Sequence, residues 1–461
     1  MTEEGIKMTV DLIITGKVVT HYGVFEDTSL AIKNGKIVNI GANSNMPPAE
    51  NEVNYGDLLI FPGVVDNHVH SLGTENEGHW NSTSAAAAGG VTTINDHPLD
   101  LGGAPTSIDD IERKAKLTSA ESVVDFSLLA GGLPERLEDI PTIANIGVTG
   151  YKMLMHATSG AATYRMRAVD DGELYAMFDL IAQSNQTAMV HAENEWIINH
   201  LVKKYTDAGK TYLAAHHETR PEMSEIVATF TAIEIARELN CRLHIVHVST
   251  PRAFELVEQA RKEGVRVTAE TCPHYLICNY DRWEEVGSHF KINPPLRSEE
   301  SRLGVWKALR EGKVHLIASD HAPHPGDHHP NVFDNFSGSP GVETMFPLIF
   351  HEGVHKKQIS LEHLVKLFSY NPARLLGVYP QKGSIEVGAD ADLVIFDSKK
   401  EWLVEGKKLR AQSGWSMYEG MNITGKVIET FVRGKKVFAE GEVIGKKGFG
   451  QWVKKVGNYD L

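Results

Sequence analysis

The sequence predicts an α/β protein: a (β/α)8 TIM barrel with a small β-sandwich formed from both chain termini. Three observations predict this fold. The middle of the chain alternates apolar strand candidates with helical patterns. Both ends of the chain instead carry strand and hairpin patterns. Polar residues suited to metal binding recur at the C-terminal ends of the central strands, where the active sites of such barrels lie.

Residues 1–59 are predicted to form the N-terminal part of the β-sandwich. The apolar run 12–20 indicates one strand. Residues 29–40 indicate a hairpin that turns at Asn34-Gly35, a dipeptide typical of two-residue turns. Because no segment of helical periodicity intervenes, this region is predicted to be all-β.

Residues 60–380 are predicted to form the barrel, since eight strand candidates occur there. They lie at 60–66, 90–95, 123–130, 148–154, 187–191, 243–247, 265–270 and 314–319. Helical patterns separate them at 171–184, 222–239, 251–262 and 298–311. The competing architecture is an open doubly wound sheet, which the lack of a G-x-G-x-x-G motif after a strand disfavours.

The C-terminal region returns to strand and hairpin patterns. Residues 381–445 are predicted to complete the β-sandwich, because 382–397 and 425–444 carry these patterns. Residues 446–461 are predicted to form a tail. The sequence leaves open whether this tail packs on the barrel or on a neighbouring subunit.

The composition excludes several classes of protein. The 461 residues include 46 basic and 60 acidic side chains, and the net charge of −14 argues against binding to nucleic acid or anionic membranes. No run of 18 apolar residues predicts a membrane-spanning helix, and the acidic N-terminus is unlike a signal peptide. Three cysteines fit no disulfide framework. We therefore expect a soluble, cytoplasmic protein.

Candidate metal ligands follow the predicted barrel strands. His68 and His70 are two residues apart on an extended chain, so both imidazoles point the same way and can grip one divalent metal. Each could instead be a satisfied structural histidine. The accumulation of six candidates at strand ends favours the metal site. The other four are Lys152, His191, His247 and Asp320.

Four histidines and one aspartate exceed what a single tetrahedral zinc with an open position needs. They suit two metals, and a pair of metals requires a bridging anion. Lys152 can supply one if its amine, with a pKa lowered by desolvation, takes up CO2 and becomes a carbamate. The alternative for Lys152 is an ion pair with Asp320 in a metal-free form.

Several motifs resemble those of the cyclic amidohydrolases, a group in the amidohydrolase superfamily that includes hydantoinases, allantoinases, dihydropyrimidinases and dihydroorotases. The resemblance extends over essentially the whole chain. The motifs are PGVVDNHVH (62–70), GYK (150–152), VHAEN (190–194), HVS (247–249), ETCPHY (270–275), NPPLR (293–297), SDHAP (319–323) and GSIEVGADADL (383–393).

The resemblance implies a role for each candidate. One zinc would be held by His68, His70 and Asp320, and the other by His191 and His247. Carboxylated Lys152 would bridge the two zinc ions together with a hydroxide that attacks the amide carbonyl. Asp320 would take the hydroxide proton and pass it to the leaving ring nitrogen. The resemblance also implies a homo-oligomer, a tetramer, acting on a small cyclic amide.

Other polar residues receive weaker assignments. Relatives place contacts to the ring amide where Asn293 and Ser337 fall, although both also suit turns, before Pro and Gly respectively. Cys272 is predicted to pack in the core. Four histidines are predicted to face solvent on loops: His216, His217, His328 and His329.

The residues around the ligands narrow the expected substrate. No arginine follows His70 closely, which disfavours dihydroorotases, and no tyrosine follows Lys152 until Tyr164, which disfavours dihydropyrimidinases and D-selective hydantoinases. What remains resembles L-selective hydantoinases and allantoinases, and three stretches look closest to the former: 125–134, 171–174 and 448–453. This resemblance implies a hydantoinase that converts a 5-substituted hydantoin to an N-carbamoyl amino acid. An allantoinase that converts allantoin to allantoate is the first alternative, followed by dihydropyrimidinase and dihydroorotase. A non-enzymatic scaffold is disfavoured because all six ligands are present.

Overall fold

The computed structural model describes residues 9–72, 77–157, 165–282, 287–324, 329–459 and 461. Tyr164 and His328, on which two of the sequence predictions depend, lie outside these residues.

Strands from both ends of the chain form one hydrogen-bonded sheet. Its eight strands pair in the order β17-β16-β15-β14-β4-β1-β2-β3. The N-terminal strands are β1 (Val10–Val19), β2 (Val24–Lys33), β3 (Lys36–Ala42) and β4 (Ala49–Pro62). The C-terminal strands are β14 (Leu393–Leu403), β15 (Asn422–Val432), β16 (Lys435–Ala439) and β17 (Glu442–Val443).

The two halves of this sheet meet where β4 pairs antiparallel with β14. A bridge between Lys36 and Asp390 adds a second link, in which Lys36 Nζ lies 2.8 Å from Asp390 Oδ1. The predicted hairpin is confirmed: β2 and β3 are joined by Asn34 (φ 51°) and Gly35 (φ 76°), and this left-handed pair is typical of a tight hairpin turn. The division of the chain at residues 59, 380 and 445 stays a prediction.

The barrel strands follow in the predicted order. They are β5 (Val64–Val69), β6 (Val91–Asp96), β7 (Asp125–Leu128), β8 (Ala130–Gly131), β9 (Tyr151–Leu154), β10 (Thr187–His191), β11 (Arg242–Ile245), β12 (Val267–Thr271) and β13 (Leu316–Ile317). The first strand differs from its predicted span of 60–66, because residues 60–62 belong to β4. The chain passes between the sheet and the barrel at Gly63, where an added Cβ would lie 2.1 Å from Thr92 Oγ1.

Parallel pairing runs around the barrel. One ladder joins β5 to β6 and β7, and another runs from β8 to β13. β7 and β8 are consecutive pieces of the third barrel strand, separated by Leu129. A parallel bridge between Val69 and His321 joins the ends of the first and last strands, supported by a 2.8 Å bond from His70 N to His321 O. These contacts, with the helices below, confirm the predicted (β/α)8 fold class.

Helices connect the barrel strands. They are α1 (Gly78–Ala88), α2 (Ile108–Glu121), α3 (Ile140–Ile143), α4 (Asp171–Gln183), α5 (Glu195–Asp207), α6 (Ala215–Glu218), α7 (Glu222–Glu238), α8 (Pro251–Lys262), α9 (Pro273–Ile277), α10 (Glu299–Arg310), α11 (Met345–Ile349), α12 (Leu361–Val365) and α13 (Asn371–Leu376). Side chains at several N-termini accept the amide of the third helical residue, as Asp170 does from Glu173 N at 2.8 Å. None of the helices in the described ranges is long and apolar enough to span a membrane.

A buried ion cluster connects the barrel to the terminal sheet. Lys382 Nζ is fully buried and lies 2.5 Å from Asp125 Oδ2 at the start of β7. It also lies 3.0 Å from Asp390 and 2.8 Å from Asp392, next to β14. Burial alone would lower the pKa of Lys382, but the three carboxylates outweigh it and raise the pKa above its usual value. The lysine therefore stays charged and holds the two parts of the fold together.

The C-terminal tail packs on the barrel of its own chain. Residues 451–453 lie beside β7, with Phe126 N bonded to Gln451 O (3.0 Å) and Val453 N bonded to Phe126 O (2.7 Å). The Val453 side chain is buried against residues from the barrel strands. This apolar cluster includes Val65, Leu129, Met189 and Val246.

Val453→Ala should lower the free energy of unfolding by about 2 kcal/mol, because it removes buried methyl groups and leaves a cavity beneath the barrel. Val456→Ala is the matched control, since Val456 is 67% exposed and should change stability little. Chemical denaturation measures both variants. Equal stability of the two would contradict the tail packing described here.

Candidate active site

His68 and His70 bring two imidazole nitrogens to one point at the end of β5. Their Nε2 atoms lie 3.2 Å apart, as the two-residue spacing predicts. Asp320 follows the last barrel strand and joins them: its Oδ1 lies 3.3 Å from His68 Nε2 and 3.5 Å from His70 Nε2. Three of the six predicted ligands therefore converge.

A second pair of imidazoles lies beside the first. His191 ends β10, and its Nδ1 lies 3.1 Å from Nε2 of His247, which follows β11. The rings of His68 and His247 are stacked with their centroids 5.3 Å apart. The four histidines thus form one continuous cluster of two pairs.

Lys152 lies within β9, next to β10, and is almost completely buried. Burial lowers the pKa of its amine to about 8, and the charges of Asp320 and Glu270 oppose this shift. In the part of the chain that the structure describes, Lys152 forms no ion pair with Asp320, so the alternative of a Lys152–Asp320 pair is not found. A lysine with a lowered pKa is partly neutral near pH 8 and can react as an amine.

Two site residues have strained backbones. Asp320 has φ 48° and His247 has φ 41°, in the left-handed region that non-glycine residues rarely adopt. Such conformations cost on the order of 1–3 kcal/mol each and persist where surrounding structure enforces them. At Asp320 the following residue provides this restraint, through the bonds between His321 and β5.

The histidine tautomers leave lone pairs at the centre of the cluster. His68 Nδ1 donates to Glu270 Oε1 (2.8 Å), so His68 Nε2 is the unprotonated nitrogen. His191 Nε2 donates to Glu193 Oε2 (2.8 Å), so its Nδ1 is unprotonated. Burial also lowers the pKa of His68 and His247 well below the usual value, which keeps both rings neutral. This arrangement fits a divalent metal, because unprotonated imidazole nitrogens that face one another can coordinate the same cation.

Glu270 is a site residue to which the sequence analysis gave no role. It lies at the end of β12 and contacts His68 through Oε1. Its Oε2 accepts from Asn67 Nδ2 (2.6 Å) and lies 3.1 Å from His244 Nε2. Glu270 lies at the C-terminal end of a barrel strand, as the predicted ligands do, and this position could have identified it from the sequence.

His97 was also missed. Its ring stacks on His68 with centroids 3.7 Å apart, and one of its nitrogens lies within 4.8 Å of ligand atoms of His68 and His70. His97 Nε2 donates to Asn67 O at 2.9 Å, which fixes the ring against the first pair.

A polar network extends outward from His191. Arg220 Nη1 donates to Glu193 (2.5 Å) and Arg220 Nη2 donates to His156 Nε2 (2.7 Å). His156 Nδ1 in turn donates to Glu195 at the start of α5 (2.5 Å). The network fixes His191 relative to the segment that follows Lys152.

Asn293 and Ser337 lie on neighbouring segments. Gly338 N donates to Lys291 O (2.9 Å), which holds these segments side by side. Asn293 Oδ1 is buried and has no hydrogen-bond partner among the described residues. The role of both residues in substrate binding stays a prediction.

The prediction of solvent exposure is wrong for His216. Its ring is buried in α6, and Nε2 donates to Ile292 O at 2.8 Å. Burial lowers the pKa of His216 well below its usual value. Short helix α6 packs this residue under the segment that carries Asn293, a tertiary contact that the local sequence does not predict.

A cavity of about 940 Å³ lies beside the barrel mouth. It is lined by residues that follow the first, second and fourth barrel strands, including Leu72, Asp100 and Ala157. Leu133 and Met166 add apolar surface, and Arg165 adds a charge. The residues that line this cavity include none of the six predicted ligands.

The sequence profile described as the Amidohydrolase family matches residues 59–437. The chain belongs to the amidohydrolase family. This family is metal-dependent, in agreement with the histidine cluster described above.

Two curated amidohydrolases illustrate the relationship. The chain is 36% identical over 454 residues to an L-hydantoinase of Paenarthrobacter aurescens, covering 96% of this chain and 98% of the relative. It is 35% identical over 439 residues to an allantoinase of Rubrobacter xylanophilus, covering 94% of this chain and 95% of the relative.

Solved amidohydrolase structures have the same architecture. The L-hydantoinase (dihydropyrimidinase) from Arthrobacter aurescens superimposes with a TM-score of 0.91 at 35% identity, covering 96% of this chain and 100% of that structure. A dihydropyrimidinase from Brevibacillus agri superimposes with a TM-score of 0.90 at 29% identity, covering 97% of this chain and 99% of that structure.

Proposed function

We propose that this amidohydrolase opens the ring of a cyclic amide, converting a 5-substituted hydantoin to an N-carbamoyl amino acid. The observation that carries the proposal is the convergence of two imidazole pairs and one aspartate around buried Lys152 at the mouth of the barrel. The similarity to an L-hydantoinase supports this substrate class.

Two divalent metal ions, zinc by our proposal, would occupy this cluster. His68, His70 and Asp320 would hold one, and His191 and His247 the other. Lys152, carboxylated by CO2, would provide the bridging anion. The bound ions would supply Lewis acidity, which activates water and polarises the amide carbonyl.

A side chain of the protein would transfer the proton during ring opening. Water adds to the ring carbonyl carbon, and the bond from that carbon to the ring nitrogen breaks. Asp320 accepts the proton that the water loses and donates it to the leaving nitrogen. The products are a carboxylate and a free urea-type nitrogen in one open chain. Asn293 and Ser337 would hold the ring amide by hydrogen bonds.

A panel of substrates tests the reaction. Purified protein loaded with zinc is assayed with each enantiomer of a 5-substituted hydantoin, allantoin, dihydrouracil and dihydroorotate. We expect the largest kcat/KM for a 5-substituted hydantoin. Preference for allantoin would instead establish the second candidate, which the similarity to an allantoinase supports. Turnover of none of these compounds would contradict the proposal.

Metal analysis tests the cluster independently of substrate. Protein expressed with ample CO2 should contain close to two divalent ions per chain, and chelators should abolish its activity. A content near zero with activity unaffected by chelators would contradict the two-metal proposal.

Light scattering tests the proposed homotetramer, which should have four times the 50.9 kDa mass of the chain.

Glu270→Gln should weaken metal binding by about 10–100-fold, a typical cost of losing a carboxylate that orients a histidine ligand. Glutamine keeps the size of Glu270 but removes the charge that fixes the tautomer of His68. Competition with a chelator measures the affinity. Glu263→Gln is the control, because Glu263 lies at the end of α8 and contacts Arg237 instead (2.8 Å).

A further inference from the structure

A second group of metal-binding side chains lies beside the His68–His70 pair. Cys272 directly follows β12, His274 lies in α9 and Asp320 follows β13. One ligand atom from each of these three residues lies within 4.8 Å of the other two. Cys272 and His274 are buried, whereas the Asp320 side chain is 14% exposed. An ion would therefore reach the group from the barrel mouth, past Asp320.

His274 has an uncommitted nitrogen inside the protein. Its Nε2 is buried and has no hydrogen-bond partner among the described residues. Leaving a buried polar atom unpaired costs about 1–3 kcal/mol. A bound cation would remove this cost, and the sulfur and carboxylate oxygen nearby would complete its coordination. The unpaired nitrogen leaves His274 with a ring atom that is available to a ligand.

We propose that Cys272, His274 and Asp320 form a site for a thiophilic divalent cation, such as Cd²⁺ or surplus Zn²⁺, separate from the histidine pairs. Sulfur and imidazole ligands favour these ions over Mg²⁺ and Ca²⁺, which prefer oxygen. On binding, the thiol releases its proton to solvent and its sulfur coordinates the cation as a thiolate.

The site would compete for the proposed catalytic carboxylate. The contacts from Asp320 to His68 and His70 are made by Oδ1. A cation held by Cys272 and His274 would bind the same carboxylate and prevent it from carrying a proton. We therefore expect surplus Cd²⁺ or Zn²⁺ to inhibit the enzyme. This consequence rests on the proposed function, but the binding of the cation does not.

Absorbance spectroscopy tests the binding. Zinc-loaded protein is titrated with Cd²⁺, and the ultraviolet charge-transfer band of a cadmium–thiolate bond is recorded. Wild type should develop the band, and Cys272→Ser should not, because a hydroxyl lacks the soft sulfur. Cys278→Ser is the matched control, since Cys278 is also buried and packs in the same apolar cluster. This control variant should keep the band.

A second variant keeps the site testable if Cys272→Ser fails to fold. Circular dichroism checks each variant, and if Cys272→Ser is unfolded, His274→Gln replaces it. This variant keeps the thiol but loses the imidazole, so its Cd²⁺ affinity should fall by at least about 10-fold. No band in wild type, a band retained in Cys272→Ser, an unchanged affinity in His274→Gln, or a band lost in Cys278→Ser would each overturn the site.

Turnover measurements test the inhibition. Rates with added Cd²⁺ are compared with the rate of the same variant without it, using the best substrate of the panel. Wild type and Cys278→Ser should be inhibited, and Cys272→Ser should resist. A band without inhibition would overturn the claim that the cation takes Asp320. Failure of every substrate would overturn the proposed function alone, because the absorbance band still reports the cation site.

Discussion

Asp320→Asn is expected to lower kcat for ring opening by at least about 10²-fold, while most of the metal stays bound. Asparagine keeps the size of the side chain and one ligand oxygen, but its amide cannot accept a proton. Asp320 is the carboxylate whose Oδ1 lies within 3.5 Å of both His68 and His70. The four histidines and Lys152 remain to hold the metal, so the variant should lose the rate of the chemical step and not its metal.

Steady-state kinetics and metal analysis on the same preparation distinguish these effects. Asp139→Asn is the control, because Asp139 pairs with Arg136 away from the histidine cluster (2.6 Å) and its loss should leave kcat unchanged. If Asp320→Asn turns over its substrate at nearly the wild-type rate, another group carries the proton and the proposed mechanism fails. Loss of most of the metal would instead assign Asp320 mainly to metal binding.

Lys152→Ala is expected to lose both metal and activity, because it removes the proposed bridging anion between the two imidazole pairs. Short carboxylic acids such as acetate or propionate should restore part of each, since a free carboxylate can enter the space left by the side chain. Activity should rise with acid concentration and saturate. Metal content, measured after desalting in the presence of the acid, should rise in parallel.

Lys455→Ala is the matched control for Lys152. Lys455 lies in the C-terminal tail, and burial lowers its pKa to about 7. Its Nζ donates to Gln186 Oε1 at 2.9 Å. This control therefore removes another lysine with a lowered pKa, but one outside the cluster. It should retain normal metal content. Normal metal content in Lys152→Ala would show that the bridge is misassigned.

Local sequence patterns predicted the regular elements closely. The helical patterns at 171–184, 222–239, 251–262 and 298–311 correspond to α4, α7, α8 and α10. Their apolar periodicity and capping residues are local properties, so they can be read without knowing the fold. The convergence of ligand candidates followed from one further rule, that the ends of parallel strands meet at one rim.

Features that depend on distant contacts were harder to predict. The span 60–66 contains an unbroken apolar run, yet its first residues pair with β14 and the rest with β6. Gly63, which closely approaches Thr92, lies at the change from one pairing to the other. Glu270 and His216 likewise owe their environments to partners far along the chain, His68 and Ile292. Neither partner can be identified from neighbouring residues.

The shared terminal sheet has a consequence for synthesis on the ribosome. Lys36 and Asp390, which bridge its two halves, are 354 residues apart in sequence. At about 5–20 residues per second, the N-terminal strands would wait roughly 20–70 s for their partners to emerge. During that interval the edge of β4 that later pairs with β14 is exposed, and unpaired edges template aggregation. The nascent chain is therefore most vulnerable to aggregation before its last strands appear, and added chaperones that shield the exposed edge should raise the soluble yield.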